Sequence, residues 1–246
     1  SGPISVVLDR LAIADRLALT GFKGEFDTSG GFSGNFSGNF NGAALVRGVV
    51  TPSGGRSAVR IVGDDAGAVL RAGGFLEGAS GGNLDLTLVP AGAAGSFDGT
   101  LAIRSLRVRD APGIAAILDA ISVVGLLQQL DGQGLAFDAV DARFRLTPDR
   151  IVVTESSAVG PGLGISLDGV YMLATKAVDF QGVVSPFYIL NGIGSFLTRK
   201  GEGLIGFNFT IQGTPGAPRV GVNPLSVFTP GMFRDIFRRP APEVPR

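Results

Sequence analysis

The chain has 246 residues, 21 Lys plus Arg against 21 Asp plus Glu, and no His, Cys or Trp. Without imidazole or thiol there is no Ser-His-Asp or Cys-His nucleophile, no His or thiolate metal site and no disulfide, so only carboxylate or lysine chemistry is left to an enzyme. Balanced charge supplies no field that would draw nucleic acid, and none is expected as a partner.

Mean hydropathy is high at +0.35, yet no apolar run reaches the ~18 residues that span a bilayer. The apolar surface must be divided among many short elements. The length suits one large β domain, expected over residues 1–239, followed by a proline-containing tail over 240–246. Ser1-Gly2-Pro3 reads as a cut end, so the chain is expected to be a segment of a longer protein.

From Phe22 to Gly42 the even positions are Phe, Gly and one Thr, while the odd positions are all polar or Gly. Strand side chains alternate between faces, so this stretch predicts amphipathic strands with one dry face. One unbroken strand would be about 70 Å long at ~3.3 Å per residue, so a hairpin turn is expected at Thr28-Ser29-Gly30-Gly31. Glycine between the Phe residues is expected to leave gaps between rings, which a filled core would avoid and a wall admitting acyl chains would tolerate. The alternative is that the Phe/Gly face is the interior of a closed sandwich or barrel.

Further along, Asp64 to Arg71 predicts a short helix. Asp64-Asp65 with Glu77 could suggest calcium or paired-carboxylate chemistry, but no Asp-x-Asp-x-Asp-Gly spacing is present, and N-capping is the better reading. Alternating strand patterns recur at Leu84/Leu86/Leu88, Phe97/Gly99/Leu101/Ile103, Val140/Ala142/Phe144/Leu146, Leu163/Ile165/Leu167, Val178/Phe180/Gly182/Val184 and Ile205/Phe207/Phe209/Ile211. Turn signals lie between them, as in Thr51-Pro52-Ser53-Gly54-Gly55 and Gly213-Thr214-Pro215-Gly216. Apolar parity reverses near Ser105-Leu106 and near Asp138-Ala139, which predicts β-bulges.

Between those strands Asp110 is a candidate N-cap, with Pro112 in the first turn of a helix from about Ala111 to Leu130. Its stripe of Ile114, Ile117, Leu118 and Ile121 should lie on the dry face. Gly160-Pro161-Gly162-Leu163-Gly164 lacks a following helix and a basic residue, so it reads as a turn rather than a phosphate loop. A shorter helix is expected after Pro186, a helical turn at Asn223-Pro224, and an amphipathic segment from Met232 to Arg239. That last segment either caps the sheet or touches an anionic membrane surface.

Asp65-Ala66-Gly67-Ala68-Val69-Leu70-Arg71, Gly81-Gly82-Asn83-Leu84, Arg109-Asp110-Ala111-Pro112, Gly125-Leu126-Leu127, Gly132-Gln133-Gly134-Leu135-Ala136-Phe137, Gly160 to Gly164, Leu190-Asn191, Lys200-Gly201-Glu202-Gly203 and Val222-Asn223-Pro224-Leu225-Ser226 with Pro230-Gly231 come one after another in an order that resembles the C-terminal region of the AsmA-like family. The chain departs from that pattern between Asn191 and Lys200, where the linker is short. The resemblance implies a periplasmic segment of a protein anchored in the inner membrane of a Gram-negative bacterium. It also implies a hydrophobic β groove that carries phospholipid toward the outer membrane and supports envelope integrity, with no catalytic residues and no cofactor.

The expected fold is therefore mainly β: an elongated, curved antiparallel sheet, groove- or taco-like, with a few short helices packed on its apolar side. Acyl chains of phospholipid are the expected partner, along a wall of Phe22, Phe26, Phe32, Phe36, Phe40, Leu101 and Ile103. The rival expectation is a structural or scaffolding envelope domain whose face is closed by its own helices and holds no lipid.

Overall fold

A computed structural model describes residues 3–14, 16–186, 206–223, 240 and 242–244. It contains fourteen strands and three short helices among those residues. The strands are β1 (Ile4–Ala14), β2 (Leu17–Asp27), β3 (Ser33–Phe40), β4 (Ala44–Ser53), β5 (Arg56–Gly63), β6 (Ala79–Ser80), β7 (Asn83–Pro90), β8 (Phe97–Val108), β9 (Leu135–Leu146), β10 (Arg150–Val159), β11 (Leu163–Met172), β12 (Val178–Pro186), β13 (Phe207–Thr214) and β14 (Ala217–Asn223). The helices are α1 (Ala66–Ala72), α2 (Pro112–Ala120) and α3 (Val124–Asp131). All strands belong to one curved antiparallel sheet that is not closed into a barrel. Neighbours in the sheet are neighbours in sequence, except that β6 leaves the main path to pair with β8.

The expected hairpin is present. Phe26 faces Gly34 and Gly24 faces Phe36 across β2 and β3, and the chain reverses over residues 28–32. Short connections of this kind make a meander the natural outcome of alternating segments separated by Gly, Pro, Asn and Asp.

The β-bulges expected near Ser105 and Asp138 are not formed, since the β8–β9 register continues unshifted; instead, two places reverse the apolar parity of a strand pair without changing its register. Ser105, at φ 61, separates buried Ile103 from buried Leu106 on β8, and on β9 Asp138 separates Phe137 from Val140. Gly21, at φ 58, does the same between Leu19 and Phe22 on β2, opposite Leu8 and Leu11 on β1. A left-handed residue inside a strand turns the rest of that strand over by one face, so apolar residues three apart both point inward.

α1 begins as expected, but with Asp65 alone as its cap: the Asp65 carboxylate accepts from the Ala68 N–H at 2.9 Å. The single helix predicted over Ala111 to Leu130 is instead two. Ser122 sits at φ 58, a conformation no α-helix accommodates, and separates α2 from α3. Asp110 is not the N-cap either. It lies at φ 44, and Ala111 takes the cap position in the extended conformation that a following proline imposes. The apolar stripe behaves as predicted: Ile117 and Leu118 are buried, and Ile114 and Ile121 pack against the same core. α2 lies against β14, α3 against β9, and α1 against β4 and β8. The helix expected after Pro186, the turn at Asn223-Pro224 and the segment Met232 to Arg239 lie outside the described residues.

Candidate functional site: the apolar face of the sheet

Cross-strand partners share a face, so register alone defines the dry surface. One row crosses the sheet from edge to edge through Ile4, Phe26, Gly34, Val50, Val59, Leu88, Gly99, Phe144, Val153, Gly169, Phe180, Ile211 and Val220. Every member is apolar or glycine. The face divides into two packed regions, one on the helices and β6 to β14, the other on β1 to β5 around Leu19, Phe22, Phe26, Val46 and Val50, with Val69 of α1 touching both.

The structure places the seven wall residues unequally. Phe22, Phe26 and Ile103 are closed in the core, while Phe36, Phe40 and Leu101 are half-buried, and Phe32 is 46% exposed. The first four aromatic rings form one cluster: Phe26 stacks on Phe32 with centroids 4.8 Å apart, and Phe22 on Phe36 at 5.7 Å and on Phe26 at 6.4 Å. Leu101 and Ile103 stand apart from it, against the helix-covered core.

The gaps expected between the rings are absent. A methyl group built at Gly48 would overlap the Phe36 ring, one at Gly99 the Phe144 ring, and one at Gly34 or Gly24 the Phe26 ring. The same holds for Gly182 under Phe209 and Gly169 beside Phe180. Each ring occupies space that a Cβ on the glycine would need, mostly on its direct cross-strand partner, so glycine is the receptacle for a ring and not a vacancy. Cross-strand pairing of aromatic with glycine is a known device for holding register in strongly twisted sheets.

α1 and the turn after it cross the dry face. The Asn41 side-chain amide donates to the Ala72 carbonyl at 2.8 Å and to the Arg16 carbonyl at 2.9 Å. Its oxygen accepts from the Ala18 N–H at 2.8 Å. On the far side Phe75 meets Tyr171 of β11 with centroids 5.8 Å apart, and burial raises the Tyr171 phenol above its usual range. The short segment 65–76 thus braces β3 against β11.

The opposite face carries charges paired across strands: Arg60 with Asp85 at 2.6 Å, Arg145 with Asp98 at 2.6 Å, Arg104 with Asp141 at 2.8 Å and Arg143 with Glu155 at 3.6 Å. Hydrogen bonding from Arg60 lowers the Asp85 carboxyl below its usual value. Two shallow depressions, of about 660 and 580 Å³, also lie on this face, the first among Lys23, Glu25, Arg47 and Arg60 and the second among Asp85, Asp141 and Arg143. Over β11 and the end of β12 the polar face is itself buried, including Val183, Ser185 and Asp168, whose carboxylate accepts from the Gln181 amide at 2.9 Å, while Asp179, Thr210 and Gln212 on the same face are exposed. No pattern in the sequence distinguishes these strands, since burial of both faces here does not replace their polar residues.

Sequence reasoning identified none of β4, β5, β10 and β14, and it also missed β1, which extends the wall with Val6, Leu8 and Leu11. Apolar residues on both of its faces obscure the alternation, and the parity change at Asp9 breaks it.

Comparison with models of protein families, with curated proteins and with solved structures found no match to this chain.

Proposed function

We propose that the chain is a non-catalytic periplasmic segment of an AsmA-like envelope protein that binds phospholipid acyl chains on the dry face of its sheet. The observation that carries this reading is the edge-to-edge apolar row, together with where it is accessible. The helices cover the region from β6 to β14, whereas the end formed by β1 to β4 exposes Phe32, Leu8 and Ile4 and half-exposes Phe36 and Phe40. Acyl chains are therefore assigned to this end and not to Leu101 and Ile103. Each methylene moved from water onto such a surface contributes ~0.8 kcal/mol, so tails alone supply affinity while the headgroup stays wet. Movement along the row exchanges one set of apolar contacts for another, which keeps the profile flat.

A second reading, a scaffold that holds no lipid, is favoured by the rings seated over glycine, because such pairs are typical of a finished core. The two separate by experiment. A photoreactive residue at position 32 should crosslink to phospholipid from phosphatidylethanolamine/phosphatidylglycerol vesicles, and native mass spectrometry should show lipid retained by the purified chain. Phe36→Asp should then abolish retention while lowering the melting temperature by only a few degrees. No crosslink and no retained lipid, with collapse of the Phe36→Asp fold, would leave the scaffold.

A further inference from the structure

The helices close only one half of the dry face over β7 to β12. Toward them, Ile103, Phe137, Leu163 and Val184 are buried. Toward the opposite end, where the chain turns over residues 91–96, 147–149 and 173–177, Leu88, Phe97, Phe144, Leu146, Ile151 and Phe180 are all half-buried. Register sets Phe97, Leu146 and Ile151 in one row of this face and Leu88, Phe144 and Phe180 in the next. None of the six belongs to either packed region. They line a trough that continues into the accessible β1 to β4 end through Val59, the cross-strand partner of both Leu88 and Val50. From β7 to β12 the trough crosses five strand spacings, or ~24 Å. One acyl tail needs ~15 Å, half of the ~30 Å hydrocarbon core of a bilayer.

One cation stands at the rim of this trough without a counter-charge. Lys176 lies in the β11–β12 turn, which is tied down where the Met172 N–H donates to the Ala177 carbonyl at 2.8 Å and the Leu173 N–H to the Asp149 carbonyl at 3.0 Å. Its ammonium lies against Gly74, where an added methyl would come within 3.0 Å of Nζ. Phe75, the next residue, meets Tyr171, which shares the row of Ile151 and Leu146. Other charged groups at this end are engaged. Arg150 pairs with Asp149 and Arg145 with Asp98, Arg56 donates to the Gly92 and Ser96 carbonyls, and Asp179 accepts from Gln212. Among the described residues Lys176 has no ion-pair partner. We infer that the trough holds one acyl tail of a phospholipid and that the Lys176 ammonium binds the phosphate of the same molecule. This rests on the phospholipid reading above and adds to it the residue that selects the headgroup. The apolar rows accept any tail, whereas a charge-assisted contact at the rim favours a lipid with a phosphate over a neutral diacyl lipid.

The test places a photoreactive residue at position 151 and, separately, at position 32, and offers dioleoyl phosphatidylglycerol or dioleoylglycerol in the same nonionic detergent. Phosphatidylglycerol should crosslink from both positions. Lys176→Glu should lower its crosslinking from position 151 by about tenfold, the scale of one charge-assisted contact, and Lys176→Arg should restore it. Dioleoylglycerol should crosslink from position 151 equally in the native chain and in both variants. Lys176 has no partner to lose and each replacement keeps a Cβ at its φ of 57, so circular dichroism should show unchanged melts. A crosslink from position 32 with none from position 151 overturns this inference and leaves the acyl-chain reading standing, whereas no crosslink from either position removes both. Equal phosphatidylglycerol yields from the native chain and Lys176→Glu also overturn the role of Lys176. So does an equal loss of dioleoylglycerol, which would mean that the substitution had closed the trough.

Discussion

Gly48 and Phe36 show how much a missing side chain contributes here. They face each other on β4 and β3, and the ring occupies the space a Cβ would need. Gly48→Val should expel the ring and destabilise the fold by ~1–3 kcal/mol, the usual scale of overpacking, readable as a lower urea midpoint at unchanged slope. On the helix side, Ile117 is 2% exposed between α2 and the sheet. Ile117→Asp should cost about 3–5 kcal/mol, because the new charge has no partner in that core. At the surface the sign of a pH effect follows from Asp85. Its folded pKa is depressed, so the contribution of the Arg60 pair is full above the ordinary carboxylate value of ~4 and is lost as pH falls through the lower folded value. Asp85→Asn should flatten that part of the acid limb in a plot of melting temperature against pH, and an unchanged limb would refute the assignment.

Among the elements, the breaks are placed by single residues in the left-handed region. Ser105 at φ 61 turns β8 over, and Ser122 at φ 58 separates α2 from α3. Glycine accepts these angles without the penalty of a Cβ. Ser105→Gly should leave stability unchanged or raise it slightly, whereas Ser105→Val should lower it by ~1–3 kcal/mol. Equal effects from the two substitutions would show that the backbone angle is not what matters. Gly125 of α3 provides the converse, since a methyl there meets nothing within 4 Å. Gly125→Ala should stabilise by ~0.5–1 kcal/mol through helix propensity.

Across the whole molecule, stability should be graded. β8 to β11 pack against all three helices or the strands they cover, while among the described residues β1 pairs only with β2 and is largely exposed. Hydrogen exchange should therefore be slowest in β8 to β11 and fastest along β1. Uniform exchange would mean that the sheet opens as one unit and that the β1 end has no independent mobility with which to admit a ligand.

The amphipathic hairpin around Thr28–Gly31, the strands β7, β8, β9, β11, β12 and β13, the Asp65 cap and the paired parity changes at Ser105 and Asp138 were legible in the residues themselves. Each rests on period-two alternation or on a backbone preference that acts within a few positions. The broken helix was not legible, because Ser122 is unremarkable until its dihedral is known. Nor was β1, whose exposed apolar residues make both faces look alike. The meaning of the glycines was the largest misreading. Alternating Phe and Gly on one strand specifies a face, but whether each glycine is a gap or a seat depends on which ring arrives from the next strand. Only the register of β2, β3 and β4 supplies that, and register is a property of paired chains. The apolar surface and its length were thus determined by sequence, whereas which part of it is sealed and which part stays open was decided by where the helices and the segment 65–76 come to rest on the curved sheet.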